Sequence, residues 1–327
     1  VISDWTGAVG NTGPTTKDKI VQSVNAGVDM LMEPYNWNTA PDGGYKDTWN
    51  VFNEAINDGS ISAERIDDAV TRIIKVKIRA GLFESPHKDS GLVGDFGSQA
   101  HKDIAREAVR KSLVLLQNDG VLPLDSSDSI FVAGKNADNL GYQCGGWTHN
   151  WEGFDGNGNA TGTTILQGIQ NIAGNVTFDE GGNGAAGHDV AIVVIGEIPY
   201  AEDLGEGYKW GTPEPGYEMY INRDLSLFGS DPDVLNNVAA SGVPMVVVMV
   251  SGRPMIVTDY VDDWNAFVAA WLPGTEGDGV AEVLFNQDGH GFTGKLPVTW
   301  PSDINQEPIN DGDGQDGLFP YGHGLTY

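Results

Sequence analysis

Two places in the sequence gather side chains able to serve as acids or nucleophiles. The first is Asp4, which follows the apolar run "VIS" and is backed at once by Trp5. The second is "GEIPYAEDLGEGYKWG", which sets Glu197, Glu202, Asp203 and Glu206 in a glycine-rich loop behind an apolar strand pattern. Ligands of α/β proteins collect beyond the carboxyl ends of strands, where both loci fall. Two separated carboxylates suit a reaction in which one stays ionised and attacks while the other protonates a departing oxygen. Glycoside hydrolysis is the leading case. The plainer readings are an Asx turn for Asp4 and a solvated or calcium-binding surface for the loop.

Aromatic residues add to the first alternative. "YQCGGWTHNWEG" holds Trp147 and Trp151 among glycines. A pyranose ring presents an apolar C–H face that packs on the negative face of an indole, so Trp151 and Trp5 are candidate sugar platforms. Trp147 is expected to belong to the core and His149 to the polar surface. None of the six histidines has zinc-ligand spacing, and no Ser-His-Asp set is visible. "GNGNATG" and "EGGNGAAG" lack a phosphate-loop lysine and the dinucleotide spacing. Chemistry between carboxylates and water calls for no metal or organic cofactor.

These residues need elements to position them. Residues 1–3 read as the end of a buried strand, "TTKDKIVQSVNAGV" as a helix, and 28–33 as a short buried strand closed by Pro34. A polar loop follows. In "SAERIDDAVTRIIKVKIRAG", Ile66, Ala69, Val70, Ile73 and Ile74 share one helical face, with Ser62 as N-cap and Gly81 as the stop. Residues 82–98, rich in Ser-Gly turns, read as a linker. "AHKDIAREAVRKSLVLLQN" reads as a helix with an apolar end. Strands are predicted at 129–134, 189–196, 244–252 and 266–274, and helices near 163–172, 233–241 and 278–285. Strands this uniformly apolar are covered on both faces, which predicts a mostly parallel sheet between helical layers.

Composition narrows the partners. The 327 residues carry a net charge of −28, which repels nucleic acid and anionic lipid and leaves a neutral ligand indifferent. No apolar run is long enough to span a bilayer. The lone cysteine, Cys144, excludes an internal disulfide.

Taken in order, "VISDW", "AGVDMLM", "RIDDAVTRIIKVK", "GLFESP", "AREAVRKSLVLLQN", "ADNLGYQCGGWT", "GTTILQGI", "GEIPYAE", "SGRP", "AAWLPGTEGDGVAEVLF", "GKLPVTW" and "YGHGLTY" resemble glycoside hydrolase family 3 over essentially the whole chain. The likeness is strongest to its exo-acting β-glucan glucohydrolases. The resemblance implies an α/β architecture: the last part of a (β/α)8 barrel in residues 1–81, then a six-stranded, mostly parallel α/β sandwich in 99–327. It implies Asp4 as nucleophile, Glu202 as acid/base, Glu197 in support, Trp5 and Trp151 as the clamp on the leaving-group sugar, and Met32 in the glucose pocket. The family's glucose-gripping residues would lie upstream of Val1, on a preceding barrel segment of the same protein. Gly10 stands where plant relatives carry an Arg, which bears on linkage preference. The implied activity is retaining release of glucose from non-reducing ends of β-glucans, outside the cytoplasm. Its alternatives are a β-xylosidase, a broad aryl-β-glucosidase, or a non-catalytic glucan-binding module.

Overall fold

The computed structural model describes residues 1–5, 13–32, 45–87, 90–151, 153–201 and 225–327. They fall into two compact units, Val1–Val93 and Gly94–Tyr327.

In the first unit, β1 (Ile2–Trp5) and β2 (Met30–Met32) pair in parallel, with Ile2 opposite Met30 and Trp5 opposite Met32. Helices α1 (Thr16–Asn25), α2 (Tyr45–Asn57) and α3 (Ala63–Arg79) accompany them. The core is small: Ile20 and Val24 of α1 meet Ala55 of α2 and Ile61, with Leu31, Phe52 and Ile66 at its border. Ser62 caps α3 by accepting from the Arg65 N–H, a contact that typically contributes about 1 kcal/mol. Arg65 also fixes the approach to β2, donating to the carbonyls of Val24 and Val28 and pairing with Asp29 at 2.8 Å.

Three expectations change here. The two strands are not buried: Ile2, Met30 and Met32 stand 62%, 51% and 43% exposed, because among the described residues the pair has no further strand beside it. The span expected to be a polar loop holds α2, whose apolar residues Phe52, Ala55 and Ile56 pack inward. On α3, Ala69 is buried while Val70 and Ile74 are exposed.

The second unit opens with α4 (Gln99–Ser112). The sequence pattern predicts a helix continuing to residue 118. Instead Leu113 turns to extended backbone (φ −61°, ψ 132°) and β3 (Val114–Asn118) begins. The rest follows as β4 (Ile130–Ala133), α5 (Leu140–Cys144), α6 (Ile165–Ile172), β5 (Val176–Phe178), β6 (Val190–Gly196), α7 (Asp231–Ala239), β7 (Met245–Val250), β8 (Ala266–Ala269) and α8 (Gly277–Leu284). The last strand stops at Ala269, short of the expected 274.

The sheet runs β3-β8-β7-β6-β4-β5, parallel except for β3. Side chains alternate between its faces, as the two-residue period requires. Ile192, Val194, Val246 and Val248 pack under α4, α6 and α8, and Val193, Ile195, Val247 and Met249 pack under α7. On the α7 side an aromatic stack seals the layer, with Phe267 edge-on to Trp264 and Trp300 at 4.9 and 5.4 Å. Arg106 on α4 binds Glu276 and Asp278 at the start of α8 at 3.2 and 2.8 Å. The outer side of β3 is covered by the residues near Tyr327: the Leu325 N–H donates to the Leu115 carbonyl at 2.8 Å, and His323 Nε2 lies 2.8 Å from the Leu116 carbonyl.

Candidate active site

From β4 the chain returns to β5 on one side, whereas β6, β7 and β8 build outward on the other. The order reverses between β4 and β6, and in doubly wound sheets ligands bind in the crevice outside the carboxyl ends at such a point. Glu197 is the first residue past β6 at this place.

The Glu197 side chain is 5% exposed and every described contact ties it down. One carboxylate oxygen accepts from Arg253 Nε at 2.9 Å, and the other from the Gly252 N–H at 3.1 Å and the Tyr200 hydroxyl at 3.2 Å. Its backbone N–H donates to the Val250 carbonyl, and its own carbonyl accepts from Asn136 Nδ2 at 3.2 Å. Arg253 also lies over the Tyr200 ring, 5.1 Å from its centroid. Burial, reinforced by the charge of Glu197, pushes the Tyr200 phenol up to about 12. Three donors on its two oxygens hold the Glu197 side chain in one place. It is a fastening between the segments after β6 and β7.

Below it lies a second buried pair. Asp231, at the start of α7, is fully buried; it accepts from the Gly196 N–H at 3.2 Å and lies 2.5 Å from Lys135 Nζ. Burial pushes its carboxyl up, and the Lys135 charge opposes that shift. The Lys135 ammonium also faces the Phe228 ring, 5.1 Å from its centroid.

The tryptophan loop belongs to the same edge. Asn139 caps α5 by accepting from the Tyr142 N–H at 3.0 Å. Buried Gln143 donates to the carbonyls of Thr163 and Gly274 and accepts from the Ile165 N–H, fixing the loop to its neighbours. Beyond α5 the loop runs so close to the segment after β6 that a Cβ on Gly146 would stand 1.9 Å from the Tyr200 carbonyl oxygen, and one on Gly153 would stand 2.4 Å from Pro199. Only glycine fits either place. Trp147 and Trp151 then meet edge to face, centroids 6.2 Å apart and planes at 78°.

The placement of Trp147 corrects its expected core position: it is 66% exposed, in the left-handed region at φ 66°, and Trp151 is 38% exposed. The glycine-rich loop turns the indole outward, and the Trp147 backbone N–H donates to the Trp151 carbonyl at 3.1 Å. His149 is exposed, edge-on to Phe154.

Of the remaining sequence-derived residues, Asp4 is exposed and lies within β1 of the first unit. Met32 ends the adjacent strand, its N–H donating to Ser3 Oγ at 2.7 Å. Glu202, with Asp203 and Glu206, and the Trp5 side chain lie outside the described residues. Sequence reasoning missed Arg253, Tyr200 and Asn136 as site residues. The first two sit in the quoted motifs "SGRP" and "GEIPYAE", which was the available signal. Among the described residues no group of three His, Cys, Asp or Glu could hold a metal ion, and no helix is long and apolar enough to cross a membrane.

The second unit is a doubly wound α/β domain with the Glu197–Arg253 contact and the Trp147–Trp151 pair at its switch-point edge. Residues 113–327 match the Glycosyl hydrolase family 3 C-terminal domain, and the chain belongs to that family. The chain is 27% identical to the lysosomal β-glucosidase of Dictyostelium discoideum, over 97% of this chain and 40% of that protein. It is 29% identical to a periplasmic β-glucosidase/β-xylosidase of Dickeya chrysanthemi, over 96% and 40%. The crystal structure of an exo-1,3/1,4-β-glucanase from a Pseudoalteromonas species superposes with a TM-score of 0.81 at 36% identity, covering 100% of this chain and 40% of that one. The chain therefore spans well under half the length of these relatives.

Proposed function

We propose that this chain belongs to a retaining, exo-acting β-glucosidase or β-glucan glucohydrolase that works in the periplasm or outside the cell. The observation that carries the reading is the 36% identity, over all of this chain, to an exo-1,3/1,4-β-glucanase. In this reading Asp4 attacks the anomeric carbon while Glu202 protonates the leaving oxygen. A covalent glucosyl-enzyme forms, and Glu202 then takes a proton from the water that releases glucose. Trp5 and Trp151 clamp the leaving-group sugar, and Met32 lines the glucose pocket. Glu197 positions the acid/base loop, a role that its three hydrogen-bond donors favour over proton transfer.

Residues 1–81 would be the last part of a (β/α)8 barrel, joined by a linker at 82–98 to the sandwich of 99–327. The exposed apolar side chains of Ile2, Met30, Val70, Ile74 and Ile78 support a preceding barrel segment of the same protein as their cover. The Dickeya relative's name favours β-xylosidase as the second reading.

The test uses the full-length protein. Asp4→Ala should abolish turnover of every substrate. Glu202→Ala should impair poor leaving groups most and recover with azide, yielding a β-glucosyl azide. Azide rescue of Glu197→Ala instead would move the acid/base role to Glu197. Preference for xylobiose over laminaribiose and cellobiose would select the second reading.

A further inference from the structure

We propose that Trp147 is a sugar platform in its own right, taking the third glucosyl ring of a β-linked oligosaccharide beyond the one stacked on Trp151. The inference rests on the β-glucan reading above.

Two properties of Trp147 work against the folded chain. The residue is 66% exposed, whereas Trp264 and Trp300 are 3% and 0% exposed. Its backbone lies at φ 66°, where a side chain with a Cβ is disfavoured and glycine or asparagine is the ordinary occupant. Such strain persists only where the surroundings over-determine it, and it gathers at ligand-binding places.

Here the surroundings do over-determine it. The Trp147 backbone N–H is bonded to the Trp151 carbonyl, Thr148 Oγ1 donates to the Cys144 carbonyl at 2.9 Å, and Gly146 and Gly153 press against Tyr200 and Pro199. The indole is thus presented by a braced loop on the switch-point edge of the sheet.

The geometry also separates its task from that of Trp151. Two indoles at 78° cannot lie against the same face of one pyranose. With centroids 6.2 Å apart they can hold successive rings of a chain that turns between them. An indole face has no charge to repel or attract a neutral sugar and selects the apolar C–H side of a β-linked glucosyl unit.

The test compares the full-length wild type with Trp147→Ala and Trp147→Phe. On laminaritriose and cellotriose, Trp147→Ala should raise KM about tenfold, equivalent to about 1.4 kcal/mol, with kcat unchanged. On the matching disaccharides and an aryl β-glucoside KM should not move, and Trp147→Phe should recover part of the loss. An equal effect on all chain lengths, or none, overturns the proposal. So does a fall of several degrees in melting temperature, which would mean that the indole packs against another part of the protein. Quenching of tryptophan fluorescence by laminaritriose, weakened in Trp147→Ala, reads the same contact without turnover. A wild type that hydrolyses none of these substrates refutes the proposed function, while the quenching still decides on Trp147.

Discussion

The carboxylate of Glu197 and the guanidinium of Arg253 meet at 2.9 Å across the carboxyl ends of two neighbouring parallel strands, β6 and β7. This contact joins the root of the acidic loop to the segment after β7. Arg253→Met leaves a nearly buried carboxylate with two donors in place of three. Losing a hydrogen bond to a charged group costs about 1.5–3 kcal/mol, and urea unfolding should show a loss in that range. If Glu202 is the acid/base proposed above, Arg253→Met should also lower turnover in the full-length protein, by about 10²-fold for a misplacement of about an ångström.

The pair beneath it is more demanding. Asp231 is fully buried against Lys135, and removing one partner of such a pair typically costs about 3–5 kcal/mol. Lys135→Met should destabilise the protein by that amount in chemical denaturation. The double variant Lys135→Met/Asp231→Leu should recover most of the loss, because both charges then leave the interior together.

Tyr200 gives stability a pH dependence of definite sign. Its phenol ionises at about 12 in the folded protein and near 10 in the unfolded chain. Between these values the native state keeps a proton that the unfolded state has released. The contribution is therefore complete below about pH 10 and is lost as pH rises through about 12. Tyr200→Phe should flatten the decline in stability across that window. Glu197→Gln removes one of the influences holding the phenol up and should lower its midpoint in an ultraviolet titration, though burial keeps it above the ordinary value.

Gly146 tests the seating of the tryptophan loop. Alanine there places a Cβ 1.9 Å from the Tyr200 carbonyl oxygen, so backbone must move. Overpacking of this kind costs about 1–3 kcal/mol. Gly146→Ala should show that loss together with a changed near-ultraviolet circular dichroism signal from the Trp147–Trp151 pair. Gly158→Ala, where no atom stands within 4 Å of the new methyl, should show neither.

The residues legible in the sequence are those whose surroundings are uniform. "VAIVVIG" and "MVVVMV" announce central strands because β-branched runs covered on both faces need no alternation. β3 is hidden because no Gly or Pro separates Ser112 from "VLLQN", leaving the apolar run to look like a continuing helix. β5, three residues long, is too short to carry a pattern. α2 is masked by the glycines and prolines ahead of it. At the site, the motifs locate Glu197 and Trp151, yet Arg253 reaches Glu197 only through the register of β6 on β7. The outward turn of Trp147 depends on a backbone angle that no side-chain type dictates.

The closure of β3 by His323 and Leu325 also orders events during synthesis. The strand nearest the amino end of this unit emerges from the ribosome well before the residues that cover its outer side. Until they arrive, Val114–Asn118 offers unpaired backbone groups and apolar side chains to any passing chain. Forms lacking residues 323–327 should accordingly be prone to aggregation, while the chain that holds them shields this edge itself.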